Sequence, residues 1–241
     1  MEKRQAIYVA AYPKSGSTYL TRLLGDVLDS PTGGCMPSED SKEIATEGQD
    51  RTGTYIVRKG HFVLVDNDTG PVVPSPHRLA WKRLTNEKIV FLVRDPRDIC
   101  ISGAYHWRCT PAEFLERMIR GDVARCGRWD NFTDMWINDR NLFPSSIIFR
   151  YEDLQNDGLA QLQRLTLLFP DYLRDLASSL KRQSFATRSQ GLSESEMRRN
   201  NMRKGIVGDW RNWFSYGEDK EFNDRIWHEF GWMMERLGYQ K

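Results

Sequence analysis

Residues 6–19, AIYVAAYPKSGSTY, combine an apolar run, a glycine-containing loop and the start of a helical pattern. The first six residues are nearly all apolar, which is typical of a strand buried on both faces of a parallel sheet. A loop containing Pro13 and Gly16 follows, and residues 18–28 then carry Leu and Val side chains at helical spacing. The stretch therefore predicts a strand–loop–helix unit.

The loop of this unit has the chemistry of an anion site. The first turn of a helix presents backbone N–H groups and a partial positive charge, and both favour anions. Gly16 lets the backbone approach an anion closely, Ser15, Ser17 and Thr18 add hydroxyl donors, and Lys14 adds a full charge. The loop predicts a phosphate or sulfate cradle, although an ordinary turn rich in Ser and Gly is the simpler alternative.

The loop differs from an ATP-binding P-loop, in which a Lys follows the last Gly. Here Lys14 precedes Gly16 by two residues, and no clear pair of magnesium-binding acids follows a later strand. We therefore expect a metal-free transfer of a group with less charge, in which lysine and backbone donors stabilise the reacting group.

The remaining chain alternates apolar strands with helices. Strands are predicted at residues 55–57, 89–93 and 146–150, and helices at 111–119, 131–141, 159–180 (interrupted near Pro170) and 222–237. Asp95 is expected to cap a helix whose first turn holds Pro96. The polar segments 30–54 and 190–201 are expected to be loops.

This pattern predicts an α/β fold: one domain spanning residues 1–241, with an open parallel sheet flanked by helices. Ligands of such sheets bind at the carboxyl ends of the strands. With 39% hydrophobic and 28% charged residues, the composition is that of an ordinary globular protein.

Charge and cysteine content narrow the class of partner. A net charge of +2 is too small to indicate a nucleic acid or a membrane surface as the partner. The four cysteines (Cys35, Cys100, Cys109 and Cys126) lack metal-ligand spacing, and we interpret them as reduced thiols. The apolar run at residues 6–11 is too short for a signal peptide or a membrane span, so a cytoplasmic protein is expected.

Two later segments supply further cations. Arg94 ends a predicted strand, and Ser102 lies where it can face the same crevice, so the two could hold a second phosphate. A surface pair between Arg94 and Asp98 is the alternative. The segment Arg203-Lys204-Gly205 could close over an anion, although by itself it would be interpreted as a solvated basic turn.

Taken together, these segments resemble the motifs of cytosolic-type sulfotransferases. Residues 12–19 are similar to the family's 5′-phosphosulfate loop, residues 89–102 to its 3′-phosphate motif, and residues 202–210 to its Arg-Lys-Gly-x-x-Gly-Asp-Trp signature. Residues 151–154 resemble a further family segment. The ending, residues 233–239, looks more like bacterial small-molecule members, and residues 211–216 depart from the dimer signature of animal members, which leaves the oligomeric state open.

The resemblance implies 3′-phosphoadenosine-5′-phosphosulfate (PAPS) as donor, adenosine 3′,5′-bisphosphate (PAP) as product, a small-molecule acceptor and no required metal. It places the 5′-phosphosulfate on Lys14, Ser15, Gly16, Ser17, Thr18 and Tyr19, and the 3′-phosphate on Arg94, Ser102, Arg203, Lys204 and Gly205. Tyr19 and Phe185 would stack on adenine and Tyr151 would contact its edge; the alternative for Tyr19 and Phe185 is a plain core position. Ser17 and Tyr19 replace the family's usual Thr and Trp.

For the chemistry, the resemblance implies His61 as general base in Lys59-Gly60-His61. Lys14, Lys59 and Ser102 complete the predicted catalytic group. His106 is the rival base, and a carboxylate at Glu43 or Glu47 is a third possibility. Two other functions stay open at this point: a small-molecule kinase that uses ATP and magnesium, and a non-catalytic PAPS-binding module.

Overall fold

The computed structural model describes residues 4–36, 46–61, 63–65, 78–80, 84, 86–138, 143–171, 173–213 and 218–241. Seven strands lie in this part of the chain: β1 (Gln5–Ala11), β2 (Thr32–Met36), β3 (Tyr55–Gly60), β4 (Val63–Val65), β5 (Arg78–Ala80), β6 (Lys88–Val93) and β7 (Ser146–Arg150). Five of them form a parallel sheet in the order β2-β3-β1-β6-β7, and β4 pairs with β5 in a small parallel sheet. The predicted α/β fold with an open parallel sheet is confirmed.

Ten α-helices are described: α1 (Ser17–Val27), α2 (Pro96–Trp107), α3 (Pro111–Arg120), α4 (Trp129–Asn138), α5 (Tyr151–Asn156), α6 (Gly158–Gln163), α7 (Leu176–Gln183), α8 (Phe185–Ser189), α9 (Glu194–Arg199) and α10 (Glu218–Arg236). Short 3₁₀ segments lie at Val123–Arg125, Arg164–Leu167 and Asp209–Asn212. None of the helices in the described ranges is long and apolar enough to cross a bilayer.

Helices cover both faces of the sheet. Ile7 and Val9 of β1 pack into one buried cluster with the leucines of α1, whereas Ala10 packs into a second cluster with α2, α3, α4 and α10. Successive side chains of a strand point to opposite faces, so a strand between two helical layers needs apolar residues throughout. This explains why residues 6–11 are almost uniformly apolar.

The strand order reverses around β1, which lies between β3 and β6. The loops after these three strands therefore open into one crevice, the usual ligand position of an open α/β sheet. The predicted cap is present here: the Asp95 carboxylate accepts from Arg97 N at 2.9 Å, and Pro96 is the first residue of α2. Capping fixes where Arg94 leaves the sheet.

Two sequence predictions are wrong in detail. The predicted loop 30–54 contains β2, an edge strand whose Gly-rich sequence gives no strand signal and which is held by pairing with β3. The predicted loop 190–201 contains α9, which begins with a capping box between Ser193 and Glu196. The predicted helical stretch 159–180 is present as α6, the 3₁₀ segment and α7, and its predicted interruption is confirmed, since Pro170 lies between the 3₁₀ segment and α7.

Two further differences concern the edges of elements. β3 extends through Lys59 and Gly60, so Lys59 lies inside the strand and only His61 follows it. Predicted helix 131–141 is α4, and residues 139–142 lie outside the described residues.

Among the described cysteine side chains, Cys100, Cys109 and Cys126 are free thiols; the side chain of Cys35 is not described.

Candidate active site

A cavity of about 310 Å³ lies at the carboxyl ends of β1, β3, β6 and β7. It brings together nearly all residues that the sequence placed in the site. Those that line it are Lys14, Gly16, Ser17, Thr18, Tyr19, Lys59, His61, Arg94, Ser102, Tyr151, Phe185, Arg203, Lys204 and Gly205.

Ser15 is the exception among the predicted donors. It does not line the cavity; it is fully buried, and its backbone N–H donates to Tyr12 O at 3.2 Å. The Ser15 hydroxyl has no hydrogen-bond partner among the described residues. The geometry of this structure therefore does not place the Ser15 hydroxyl among the groups that could reach an anion in the cavity.

The phosphate loop, residues 12–19, depends on its glycine. Gly16 is the N-cap of α1 with φ +98°, in the left-handed region that L side chains rarely adopt. A Cβ at this position would come within 2.7 Å of the Tyr151 ring. The backbone can therefore turn into α1, and present the helix N-terminus to the cavity, only with glycine here.

Four cations lie close together at this loop: Lys14, which belongs to it, and Lys59, Arg94 and Arg203. Burial, followed by the charges of Lys59, Arg94 and Arg203, lowers the pKa of the Lys14 amino group to about 7. Lys59 donates to Thr18 Oγ1 at 3.5 Å, which holds its ammonium beside the start of α1. Such crowding costs free energy in an empty cavity and favours an anionic ligand that neutralises it.

Arg94 is held from three sides. It donates to Lys14 O at 3.2 Å, lies 3.7 Å from the Asp98 carboxylate and stacks on the Tyr151 ring at 4.3 Å. The Nε of this buried guanidinium has no hydrogen-bond partner within the described part of the chain. The predicted Arg94–Asp98 pair is thus present, but it is buried rather than on the surface.

Asp98 also connects the cavity to the far end of the chain. Its carboxylate accepts from Gly208 N at 2.8 Å and from Trp210 N at 3.1 Å. Burial raises the pKa of Asp98, and the charge of Arg94 and these two N–H groups oppose that rise. Asp98 therefore fixes residues 200–213, which we call the clasp segment, against the start of α2.

Within the clasp segment, Asp209 binds both cations that face the cavity. It accepts from Arg203 at 2.5 Å, from Lys204 at 3.4 Å and from Asn212 at 2.9 Å. Burial raises the pKa of Asp209, but these hydrogen bonds and the two positive charges together lower it to about 2. Asp209 thus stays ionised and orients Arg203 and Lys204 at the cavity wall.

His61 lies opposite the phosphate loop at the end of β3. Its Nδ1 is 2.6 Å from the carbonyl oxygen of Ala11, the last residue of β1. A carbonyl oxygen only accepts, so a neutral His61 ring must carry its proton on Nδ1 and its lone pair on Nε2. The contact defines both the tautomer and the orientation of the ring.

The rival histidine, His106, lines the same cavity from α2. Burial and the charges of Lys14, Arg198 and Lys59 lower the pKa of His106 to about 4, so it is neutral and weakly basic near pH 7. Its ring packs edge-on against Trp107 at 4.6 Å. A lowered pKa makes His106 a weak proton acceptor. Of the other two histidines, His77 lies outside the described residues and His228 is on α10.

The carboxylate alternatives receive little support. Glu43 lies outside the described residues. Glu47 binds two guanidinium groups, those of Arg22 at 2.8 Å and Arg188 at 2.6 Å, and it is not among the cavity-lining residues. Glu47 is therefore not placed to contact an acceptor in the cavity.

Aromatic side chains line the same cavity as the cations. Tyr19 and Tyr151 meet edge to face at 6.3 Å, and burial raises the pKa of Tyr19 to about 12. Gly205, with φ +67°, packs directly on Phe185: a Cβ there would lie 2.6 Å from the Phe185 side chain. These contacts leave a slot with aromatic edges beside the cations.

Several cavity residues were missed by sequence reasoning. They are Arg22, Gln155, Gln183, Arg188, Asn200 and Asn201. Arg188 and Asn201 lie in or next to the short helices α8 and α9, where polar sequence gave no reason to expect a site. Asn201 contacts a predicted catalytic residue directly, since its Oδ1 accepts from Lys14 Nζ at 3.1 Å.

Fold and site together define an α/β protein with a cavity in which clustered cations lie beside the N-terminus of α1. Among the described residues, no group of acidic, His or Cys side chains could hold a metal ion. The sulfotransferase domain family matches residues 4–235. The chain therefore belongs to the sulfotransferase family and is a PAPS-dependent sulfotransferase.

Individual relatives support this assignment. Mouse sulfotransferase 2A6 is 26% identical over 93% of this chain and 85% of its own length. Rat sulfotransferase 2A1 is 28% identical over 94% of this chain and 84% of its own. A crystal structure of a mouse sulfotransferase complexed with PAP is similar in fold, with a TM-score of 0.68 at 22% identity, over 94% of this chain and 85% of that one. A structure of retinol dehydratase with retinol and PAP has a TM-score of 0.67 at 17% identity, over 97% and 82%.

Proposed function

We propose that this protein transfers a sulfuryl group from PAPS to a hydroxyl or amine of a small-molecule acceptor, with His61 as general base. One observation carries the proposal. His61, whose Nδ1 is held by Ala11 O at 2.6 Å, lines the same cavity as Lys14, Lys59 and Arg94. A proton acceptor of fixed tautomer beside clustered cations suits transfer of an anionic group to a nucleophile that must lose a proton.

The cavity fits a donor with two anionic ends. At one end, the backbone turn at Gly16 and the side chains of Lys14, Ser17 and Thr18 would hold the 5′-phosphosulfate. The Cβ-free cradle at Gly16 gives room for close approach of an anion. PAPS supplies the sulfuryl group through its phosphosulfate anhydride, and PAP is the product.

At the other end, Arg94, Ser102, Arg203, Lys204 and Gly205 would hold the 3′-phosphate. The buried Arg94 Nε with no partner among the described residues supports this assignment, since a buried guanidinium donor is normally satisfied by a ligand or by water. Asp209 orients Arg203 and Lys204 beforehand, so less side-chain entropy is lost when an anion binds.

Between these ends, Tyr19 and Phe185 would contact the adenine faces and Tyr151 its edge. All three line the cavity. The Tyr151 ring already contacts Arg94 on one face and forms an edge-to-face pair with Tyr19. These contacts fix its position in the cavity wall. Aromatic side chains stabilise nucleobases by stacking without reading a particular base.

In the reaction, His61 Nε2 would take the proton of the acceptor as its oxygen or nitrogen attacks sulfur. Lys14 and Lys59 would stabilise the negative charge that develops on the bridging oxygen and on the transferring group. Ser102 lies on α2 at the wall of the same cavity and would help to orient the donor. By analogy with phosphoryl transfer, positioning and charge stabilisation supply most of the rate.

The acceptor would enter beside His61, where His106, Trp107 and Ala124 also line the cavity. Trp107 is 38% exposed and stacks on Phe114, so it offers an apolar face at the entrance. This end suits an acceptor with an aromatic or apolar body. A cytoplasmic location and one domain over residues 1–241 remain predictions.

The test is transfer of ³⁵S from labelled PAPS to a panel of phenols, alcohols and amines. We expect the wild type to label at least one of them, and His61→Ala to lower turnover by about 100-fold or more while PAP affinity changes less than threefold. His228→Ala on α10 is the matched control and should keep full turnover.

Two results would count against the proposal. Unchanged turnover of His61→Ala, with turnover lost in His106→Ala, would move the base to His106. Tight PAP binding without labelling of any acceptor would favour a non-catalytic binding module.

A further inference from the structure

Asn201 makes a contact that the reaction described above does not use. Its side-chain Oδ1 accepts a hydrogen bond from Lys14 Nζ at 3.1 Å, across 187 positions of sequence. Within the described part of the chain, this is the one hydrogen bond recorded for the Lys14 ammonium. Lysine has only donors, so the amide must present its oxygen to it.

The backbone at Asn201 has an explanation that does not involve the cavity. α9 ends at Arg199, and Asn201 follows it with φ +58°. Asn201 N donates to Arg198 O at 3.0 Å and Met202 N to Met197 O at 2.8 Å, the two hydrogen bonds of a Schellman helix end. Glycine is the residue most often found at this position, and asparagine is a tolerated substitute.

The side chain is what glycine would lack. Lys14 also has a left-handed backbone, with φ +71°, so both residues are held in unusual conformations while their side chains meet in the cavity. Both are fixed by local structure: Lys14 by the turn into α1, and Asn201 by the end of α9. The contact therefore joins two anchored ends rather than two mobile side chains.

The Asn201 amide is uncharged, and this matters for the binding of an anion beside Lys14. The charged and titratable groups that face Lys14 are Lys59 from β3, Arg94 after β6, Arg203 of the clasp segment and His106 from α2. An amide oxygen stabilises the ammonium among these cations and adds no negative charge. A carboxylate there would pair with Lys14 and compete with an anionic ligand.

We propose that Asn201 is a positioning residue for Lys14: its amide oxygen holds the ammonium at the cavity wall without neutralising the charge that the donor would bind. The catalytic part of this inference rests on the proposed function, whereas the effect on Lys14 itself does not. The experiment measures the two separately.

The variants are Asn201→Gly, which keeps the helix end and removes the side chain, and Asn201→Asp, which adds a charge at the same atom. Arg108→Gly is the matched control, because Arg108 ends α2 with φ +54° and does not line the cavity. The pKa of Lys14 is read by NMR of the lysine Cε and Nζ atoms in each full-length protein, with the signal assigned by Lys14→Arg.

We expect the Lys14 pKa to fall by about one unit in Asn201→Gly and to rise in Asn201→Asp, because an amide and a carboxylate acceptor both favour the charged form. Turnover with labelled PAPS at pH 7.5 should fall about tenfold in Asn201→Gly, and its thermal midpoint should stay level or rise. Arg108→Gly should leave both the Lys14 pKa and turnover unchanged.

A Lys14 pKa that is the same in wild type and Asn201→Gly would overturn the inference and leave Asn201 as a helix-end residue only. If the pKa shifts as expected but the wild type labels no acceptor, the positioning of Lys14 stands and the proposed function fails. If Asn201→Asp does not fold, Asn201→Gly alone decides the outcome.

Discussion

The phosphate loop and the clasp segment face each other across one cavity, yet they are built in different ways. The phosphate loop is contiguous in sequence and lies between a central strand and a buried helix, so its shape follows from β1, Gly16 and α1. The clasp segment has no strand of its own, and its position depends on Asp98, more than 100 residues away in sequence. One half of the site is thus set by local structure, and the other depends on contacts between residues far apart in sequence.

Because the two halves of the site are built differently, we expect substitutions in them to impair the site in different ways. A change in the phosphate loop should damage the site through backbone strain, because the turn at Gly16 has a positive φ and no room for a Cβ. A change in the clasp segment should release cations from the cavity wall without disturbing the sheet. The predictions below separate these two modes of failure.

The largest effect is expected from Gly16→Ala. The new Cβ would meet the Tyr151 ring at 2.7 Å in a backbone with φ +98°, and such strain costs about 1–3 kcal/mol. Displacement of the loop should lower turnover on the order of 100-fold. Thermal unfolding and ³⁵S transfer measure the two losses.

Gly191→Ala is the control for this prediction. Gly191 also has a positive φ, but a Cβ there meets nothing within 4 Å, so stability should fall slightly and turnover should not change. Equal losses in both variants would refute a special role for Gly16.

Asp98→Asn should break the clasp. The side chain would keep one acceptor for the two N–H groups of Gly208 and Trp210, and would lose the charge beside Arg94. We expect unfolding to become easier by about 2–3 kcal/mol and PAP affinity to fall about tenfold. Denaturant unfolding and calorimetric titration with PAP provide the measurements. Asp134→Asn, which removes the charge from a partly exposed carboxylate that accepts from Arg236 and Asn138, should cost under about 1 kcal/mol. Full PAP affinity in Asp98→Asn would show that the clasp segment keeps its position without the Asp98 carboxylate.

The pH dependence of PAP binding should report on the phosphate loop. The Lys14 pKa is lowered to about 7 in the free protein, and a bound anion would raise it. Affinity should therefore fall as pH rises above about 7, because the neutral amine must then take up a proton to bind the anion. In Lys14→Met this part of the pH dependence should disappear. A wild-type profile that is flat between pH 6 and pH 9 would contradict the assignment.

The smallest effect is expected from Lys204→Met. The Lys204 side chain is 48% exposed, whereas Arg203 is 11% exposed, so solvent screens Lys204 far more. PAP affinity should fall less than about fivefold in Lys204→Met and clearly more in Arg203→Met. Calorimetry on both variants tests the order. A larger loss from Lys204→Met would indicate that the exposed cation, rather than the buried one, binds the phosphate.

The contrast between the two regions also explains what sequence could predict. The β1–loop–α1 unit was predicted correctly because apolar strand, glycine turn and helical spacing are all local signals. Asp95 as cap and Pro96 as first helical residue were equally local. β2 was missed because a Gly-rich edge strand has no apolar alternation, and only its pairing with β3 makes it a strand.

The clasp side of the cavity was predicted less completely. Its basic residues were identified, but α9 was not, although Ser193 and Glu196 form a capping box that the sequence does carry. The contact between Asn201 and Lys14 could not have been predicted, because it joins residues at opposite ends of the chain. His61 was predicted as the base from the family resemblance, and that role stays a prediction. The contact of its ring with Ala11 O depends on the pairing of β1 with β3, which the sequence does not show.

The most direct test of the two-ended site is a calorimetric comparison of PAP, 5′-AMP and ATP·Mg on the wild-type protein. If both regions bind anions as described, PAP should bind about 100-fold more tightly than 5′-AMP, which lacks the 3′-phosphate, and ATP·Mg should bind weakly. Equal affinity for PAP and 5′-AMP, or tighter binding of ATP·Mg than of PAP, would contradict the account.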